Sequence, residues 1–342
     1  HRLGRGTGEQ GLMRIVASAP GKFVLSGEYA VLDGAPAICV AVDRRAGVTI
    51  EPHDGDEHVV RAPGFTAVTG RFSDGSGELG WLDGGRDFGL FEAVWNASRP
   101  THGKTALAIS LDTAVFRDPG SGRKIGLGSS AALAAALATA LNSLGGESAA
   151  VVAHAAHRLF QGDSGSGVDI ACSLAGGVIE YRMADRQSTH AQWPEGLHFS
   201  VLWSGVAAGT PGRLARFRDL PGSPSRRELS KASSAVAADF QRGQASACVA
   251  ALGEYTQALL RFDAAHALGI FDAGHEALAE HAASAGMVYK PCGAGGGDIG
   301  VALATSRASL ASFEEMAARS GFTRLALSID PRGAMLHDKD EM

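Results

Sequence analysis

The sequence predicts an α+β fold in two parts. Strand-like segments rich in β-branched residues open the chain, and an alanine-rich helix follows a glycine-serine loop further along. The second half then orders its elements β–α–β–β–α–β. Arg14–Ala19, Ala37–Val42 and Gly47–Glu51 read as strands, and residues 52–90, with many Gly and Asp, as hairpins and loops. Ser129–Leu144 reads as a helix because Leu133, Leu137 and Leu141 stand four apart among alanines, with Gly145-Gly146 as the stop. So much alanine implies a helix lying close to its neighbours. A second helix is expected from Glu147 to Phe160. Beyond Tyr181 follow a strand at His198–Trp203, helices from Arg226 to Ala285, and strands at Met287–Lys290 and Ile299–Ala304. A helix at Ala308–Arg319 and a strand at Thr323–Ile329 complete a split βαβ, ferredoxin-like order. The boundary is expected between Arg182 and Gly196, giving domains 13–188 and 189–342.

Composition narrows the function. The 342 residues include 46 glycines, nearly twice the average share of about 7%. Several gather in short loops, as where backbone approaches a ligand. The net charge of -5 and the lack of a dense Lys/Arg cluster argue against a nucleic-acid surface. Cys39, Cys172, Cys248 and Cys292 form no C-x-x-C pair, so neither a disulfide framework nor a zinc site is expected, and a reducing, cytoplasmic setting fits. No apolar run approaches the roughly 18 residues of a membrane span. His1–Leu12 is Gly-rich and polar, unlike a signal peptide, and is set aside, with Met13 read as a natural start.

Three loops carry the chemistry. In Lys124-Ile125-Gly126-Leu127-Gly128-Ser129-Ser130-Ala131, two glycines can turn successive N–H groups inward at a helix N-terminus, where the helix dipole favours an anion. Ser129 and Ser130 can bond phosphate oxygens or a metal ion. An ordinary glycine turn before an N-cap serine would look similar. The segment also fits the loose dinucleotide pattern G-x-G-x-x-A, but Asp118–Arg123 before it is a polar loop, not the strand a Rossmann site needs. Gly295–Gly300 formally matches G-x-G-x-x-G, yet strand rather than helix follows it. His102-Gly103-Lys104-Thr105 ends like a Walker loop, but serine stands at position 98 where its first glycine belongs. Lys22 lies between a Pro-Gly turn and an apolar strand in Ala19–Leu32. Asp169 follows Gly165-Ser166-Gly167-Val168 in what reads as a glycine turn between helix and strand, where it could orient or deprotonate an attacking group. Each alone has a bland alternative, a surface lysine or a turn aspartate. His154 and His157, three apart on a helix, lack a third ligand and read as packed, while Trp203 and Phe271 read as core.

In this order the three segments resemble the GHMP kinase superfamily, over about 290 residues from Arg14 to Leu303. Ala19–Leu32 is similar to its first motif, Gly126–Ala131 to its G-L-G-S-S-A loop, and Lys290–Gly300 to its late glycine loop. The resemblance implies a ribosomal protein S5 domain 2-like N-terminal domain and a ferredoxin-like C-terminal domain, with ATP, Mg²⁺ and a small acceptor between them. Within the superfamily the details look most like the phosphomevalonate kinases. Gly27-Glu28-Tyr29-Ala30-Val31 has tyrosine where mevalonate kinases carry histidine, and Lys124 replaces the usual proline. Leu202-Trp203-Ser204-Gly205 with Ala208 and Thr210, and Lys290-Pro291-Cys292-Gly293-Ala294-Gly295-Gly296-Gly297-Asp298, are similar to further motifs of that branch. His157 stands where mevalonate kinases place a metal-binding glutamate. Val168, Cys292 and Ala208-Gly209-Thr210 depart from the branch pattern on the acceptor side.

The implied reaction is ATP-dependent phosphorylation of a small anionic acid, first of all 5-phosphomevalonate. Mevalonate or a sugar remains the alternative acceptor, and a nucleotide-binding sensor or pseudokinase the non-enzyme alternative. Lys22 and Asp169 are implied to be catalytic, and Lys124, Gly126, Leu127, Gly128, Ser129, Ser130 and Ala131 to bind ATP, with Ser130 on Mg²⁺. Lys22, Glu28, Tyr29, Ser166, Gly167, Gly293, Ala294, Gly295 and Gly296 are implied to meet the acceptor. Neither nucleic acid nor membrane is expected as a partner, and a monomer or homodimer is expected.

Overall fold

The computed structural model describes residues 13–75, 78–162, 165–209, 213, 216–217 and 222–338. Two sheets organise it. The first gathers β1 (Ile15–Ser26), β2 (Ala37–Pro52), β3 (His58–Arg61), β4 (Thr69–Ser73), β5 (Gly80–Asp83), β6 (Leu107–Asp112), β7 (Val178–Arg182) and β8 (Gln187–Ala191), plus β13 (Met335–Leu336) from the end of the chain. The second orders β10 (Val288–Pro291), β11 (Ile299–Ala304), β9 (His198–Trp203) and β12 (Thr323–Leu325), every pair antiparallel. This is the ferredoxin-like order, so the α+β expectation holds. Between β9 and β10 the crossover carries three long helices among the described residues.

The alanine-rich segment forms α2 (Ser129–Asn142), which follows α1 (Gly89–Ser98) and packs on β1 and β2. Its alanines at 131, 132, 134, 135, 136, 138 and 140 are all fully buried. Small side chains let the helix lie close to the sheet and to α3 (Ala149–Phe160) at once. The crossover helices α5 (Pro224–Arg242), α6 (Ala245–His266) and α7 (His275–Ser284) come after α4 (Val168–Ala175), and α8 (Arg307–Arg319) backs the second sheet. One apolar cluster runs from Phe23, Leu25 and Val40 of the first sheet to Val201, Tyr289 and Leu303 of the second. Among the described residues no helix is long and apolar enough to cross a membrane.

Three local expectations change. β1 does not stop at Pro20-Gly21 but runs through it as a register shift against β2. Gly21 permits this, since a Cβ there would lie 2.5 Å from the Phe116 ring and 2.8 Å from the Leu127 carbonyl. Asp169 is not in a turn before a strand. Gly167 takes a left-handed φ of 85° and starts α4, putting Asp169 in its first turn. The last expected strand ends early, at Leu325, because the chain leaves for the first sheet. There Arg45 donates to Asp330 Oδ2 (2.5 Å) and to the carbonyls of Arg332 and Gly333, and β13 pairs with β1.

Candidate active site

The glycine-serine loop is built onto β1. The Lys22 N–H donates to the Leu127 carbonyl at 2.9 Å, so the strand that carries the lysine also fixes the loop. Upstream, Ile125 N donates to Phe116 O (3.0 Å), which anchors the polar stretch before the loop. Gly126 and Gly128 have φ of 98° and 77°, and Gly128 N-caps α2. Both glycines are required by angle, and Gly126 by contact as well. A Cβ at 126 would lie 2.5 Å from Asp298 Cβ, and one at 128 would lie 2.8 Å from Lys22 Cε.

These elements enclose a cavity of about 460 Å³. Lys22, Lys124, Gly126, Leu127, Gly128, Ser129, Ser130, Ser166, Gly167 and Asp169 all reach it, with Glu28, Tyr29, Gly293 and Ala294 on its other side. Ala131 is buried in α2 instead, and Gly295 and Gly296 stand behind the wall. Gly296 N donates to Ile270 O, and a Cβ at Gly295 would lie 2.5 Å from that same oxygen. Their role is close packing of the loop that presents Gly293 and Ala294. Thr210 lies outside the described residues.

The Lys22 ammonium is buried, 3.5 Å from Asp169 Oδ1. Burial by itself would lower its pKa, but the Asp169 carboxylate and nearby thiols outweigh this and hold it above the ordinary lysine range. A cation that stays charged is thus fixed beside the glycine-serine loop. Ser130 Oγ lies 3.2 Å from His157 Nε2, and burial lowers the His157 pKa. A neutral His157 can accept the serine proton and leave the hydroxyl lone pairs open. His154 is likewise lowered, to about 4, first by burial and then by Arg186.

Sequence reasoning placed Glu28 at the acceptor, but both of its oxygens are taken. Lys290 Nζ lies 2.5 Å from Oε1 and the Tyr255 hydroxyl donates to Oε2 at 2.8 Å. Tyr29 donates to the Ala294 carbonyl at 2.7 Å. Two features of the site were missed. Asp298, at φ 53°, accepts from Ala208 N at 3.2 Å, and burial pushes its carboxyl pKa up. A second, apolar cavity meets the loop at Lys124, Ser129 and Ser130, lined by Phe65, Phe88, Phe91, Phe116 and Phe160. The exposure of Phe65 (49%) and Phe160 (51%) marks it, but exposure is not written in a sequence.

Among the described residues one other group could hold a metal by composition. His58, Asp74 and His102 bring their ligand atoms within 4.8 Å of one another, and none of them lines the cavity. Leu107 N–H donates to His58 Nδ1 (3.0 Å), so the ring proton sits on Nε2, facing Asp74 Oδ1 at 3.3 Å. His102 lies 2.8 Å from Asp74 Oδ2 and 3.1 Å from the Thr105 carbonyl. Coordination would require His58 to give up its Nε2 proton, so the group acts as a hydrogen-bonded clamp.

Comparison with known proteins gives the family. Residues 90–177 match the model of the GHMP kinases N terminal domain. A phosphomevalonate kinase of Streptomyces sp. (strain CL190) is 32% identical over 350 residues, covering 87% of this chain and 92% of the relative. A mevalonate kinase of Thermococcus onnurineus is 30% identical over 226 residues, 60% of this chain and 62% of the relative. Among solved structures, Streptococcus pneumoniae phosphomevalonate kinase in complex with phosphomevalonate and AMPPNP superposes with a TM-score of 0.75 at 19% identity, covering 92% of this chain and 99% of that one. With the fold, the loop and a relative matched over nearly its whole length, the chain belongs to the GHMP kinases, a family of phosphotransferases.

Proposed function

We propose that this chain transfers the γ-phosphoryl group of MgATP to 5-phosphomevalonate, giving 5-diphosphomevalonate and ADP. The observation that carries the proposal is the buried Lys22 ammonium paired with the half-buried Asp169 and facing the glycine-serine loop across one cavity. An oxygen of the acceptor phosphate attacks the γ-phosphorus, and the bond from that phosphorus to the β,γ-bridging oxygen breaks. The main obstacle is repulsion between two anions, which fixed cations and loop N–H groups offset. Lys22 sits between the incoming oxygen and the γ-phosphate, with Asp169 orienting it. Lys124 and the N–H groups at the start of α2 hold the β- and γ-phosphates. The adenine ring takes the phenylalanine-lined cavity. Ser130 and the nearby carboxylates are hard oxygen donors that suit Mg²⁺. Bound there, the ion would neutralise phosphate charge.

The same proposal assigns the phosphate loop to residues 13–188 and the late glycine loop to residues 189–342, with β13 crossing back. Four free, buried thiols accord with a cytoplasmic setting.

Two measurements test the proposal. A coupled ADP-release assay should show turnover with 5-phosphomevalonate well above that with mevalonate, homoserine, galactose or heptose phosphates. Thermal stabilisation by MgATP without ADP release for any acceptor would instead mean a sensor. The second is Asp169→Asn. A phosphate monoester has its second pKa at about 6 and arrives largely deprotonated, so it needs positioning more than a base. The variant should slow kcat by about tenfold to a hundredfold and leave the profile from pH ~7 to ~9 nearly unchanged in shape. A loss of about 10⁴ with a new pH dependence would point to an alcohol acceptor, whose proton must be removed.

A further inference from the structure

Among the described residues the main cavity is lined by two lysines, Lys22 and Lys124, and three carboxylates, Glu28, Asp169 and Asp298. That balance is wrong for a site admitting two phosphate-bearing anions unless the carboxylates are compensated. Asp169 has Lys22, and Asp298 is hydrogen-bonded to Ala208 N. Glu28 is compensated from outside the cavity. Lys290 does not line it, is fully buried on β10, and reaches Glu28 Oε1 at 2.5 Å. In a low-dielectric wall an unpaired carboxylate would project its field into the site, whereas a paired one projects little.

The pair also holds shape. Tyr255 of α6 donates to Glu28 Oε2 and accepts from Gly27 N at 3.0 Å, so the turn at 27–29 is fastened at both the side chain and the backbone. Next to it Tyr29 has a φ of 62°, unusual for a bulky residue, and its hydroxyl reaches the Ala294 carbonyl. Lys290 lies three residues before Gly293 on the chain that forms the opposite wall. One buried ion pair therefore ties the first motif to the late glycine loop.

We propose that Lys290 is a positioning and specificity-determining residue for the anionic acceptor: it cancels the Glu28 charge from behind the cavity wall and locks the 27–29 turn to the Gly293–Ala294 loop. The proposal rests on the anionic acceptor assigned above. Glu28 then acts through its pairing, without touching the acceptor. Because the pair serves the acceptor end, its loss weighs on the acceptor more than on the nucleotide.

The test is a double-mutant cycle in the full chain, with steady-state kinetics in 5-phosphomevalonate and in MgATP. Lys290→Met should lower acceptor kcat/KM by about a hundredfold, mostly through KM, with the MgATP KM within about threefold. Lys290→Met/Glu28→Gln, which removes both charges, should recover at least about tenfold of that loss. A merely structural role would recover in the double variant too but would shift both KM values together, so a joint shift would overturn the proposal, as would a double variant with no recovery. If Lys290→Met does not fold, the double variant and Tyr255→Phe carry the test. The double variant should fold and turn over, and Tyr255→Phe should raise the acceptor KM severalfold without changing any charge. An unfolded double variant, or an unchanged acceptor KM in Tyr255→Phe, would overturn it. Absence of wild-type turnover with every anionic acceptor would defeat the proposed function. Wild-type turnover without rescue would defeat only the role of Lys290.

Discussion

Lys22→Met is expected to fold normally and to lose at least about a hundredfold in kcat, the usual scale for one preorganised charge-stabilising donor. Methionine is unbranched and of similar length, so the packing under the loop survives. The loss should not be read alone, because the variant leaves Asp169 facing the cavity without its partner. The Lys22→Met/Asp169→Asn double variant separates the two causes. If the ammonium stabilises the transferring group, the double variant stays as slow as the single one. Recovery toward wild type would show that the bare carboxylate had caused the loss and would remove Lys22 from the mechanism. The pH dependence adds a second check. The Lys22 pKa is raised above its ordinary 10.5, so the side chain stays charged from pH ~6 to ~9 and contributes no basic limb to kcat there. The stability its charge confers is likewise present below 10.5 and lost only as pH climbs through the higher folded value.

What could be read from the chain and what could not divide along a physical line. The glycine-serine loop was legible because its parts are adjacent: two glycines, two serines and a helix whose leucine spacing declares itself. The second sheet was legible for the same reason, each strand and helix carrying its own period. Asp169 was identified, but not its place in α4, because a left-handed glycine such as Gly167 can serve a turn or start a helix, and the sequence does not say which. Glu28 was identified as a site residue on motif grounds, yet its partner Lys290 is 262 residues away and no local pattern joins them. The phenylalanine-lined cavity draws Phe65 from a loop, Phe88 and Phe91 from the start of α1, and Phe160 from the end of α3. With Phe116 from the turn after β6, four separate stretches of chain make one pocket only in three dimensions. The early end of the last β9-paired strand was hidden similarly, since Arg45 draws the tail to the first sheet.

Gly128→Val should abolish measurable MgATP binding by calorimetry while the protein still unfolds cooperatively. Gly128 holds φ at 77°, a region that costs a β-branched residue roughly 1–3 kcal/mol. The loop can relieve that cost by rotating the peptide, which turns its N–H groups away from the phosphates. The added Cβ would also lie 2.8 Å from Lys22 Cε, so the lysine must move aside. The acceptor end therefore does not escape, and acceptor binding should weaken too, though less than MgATP binding. Two milder substitutions separate angle from bulk. Gly128→Asn tolerates the left-handed region but carries a longer side chain, whereas Gly128→Ala meets the angle penalty with only a methyl group. If backbone angle dominates, asparagine retains more MgATP affinity than alanine, and if contact with Lys22 dominates, the order reverses. Normal MgATP affinity in Gly128→Val would mean that the phosphates bind elsewhere, and the placement of the nucleotide over α2 would fall with it.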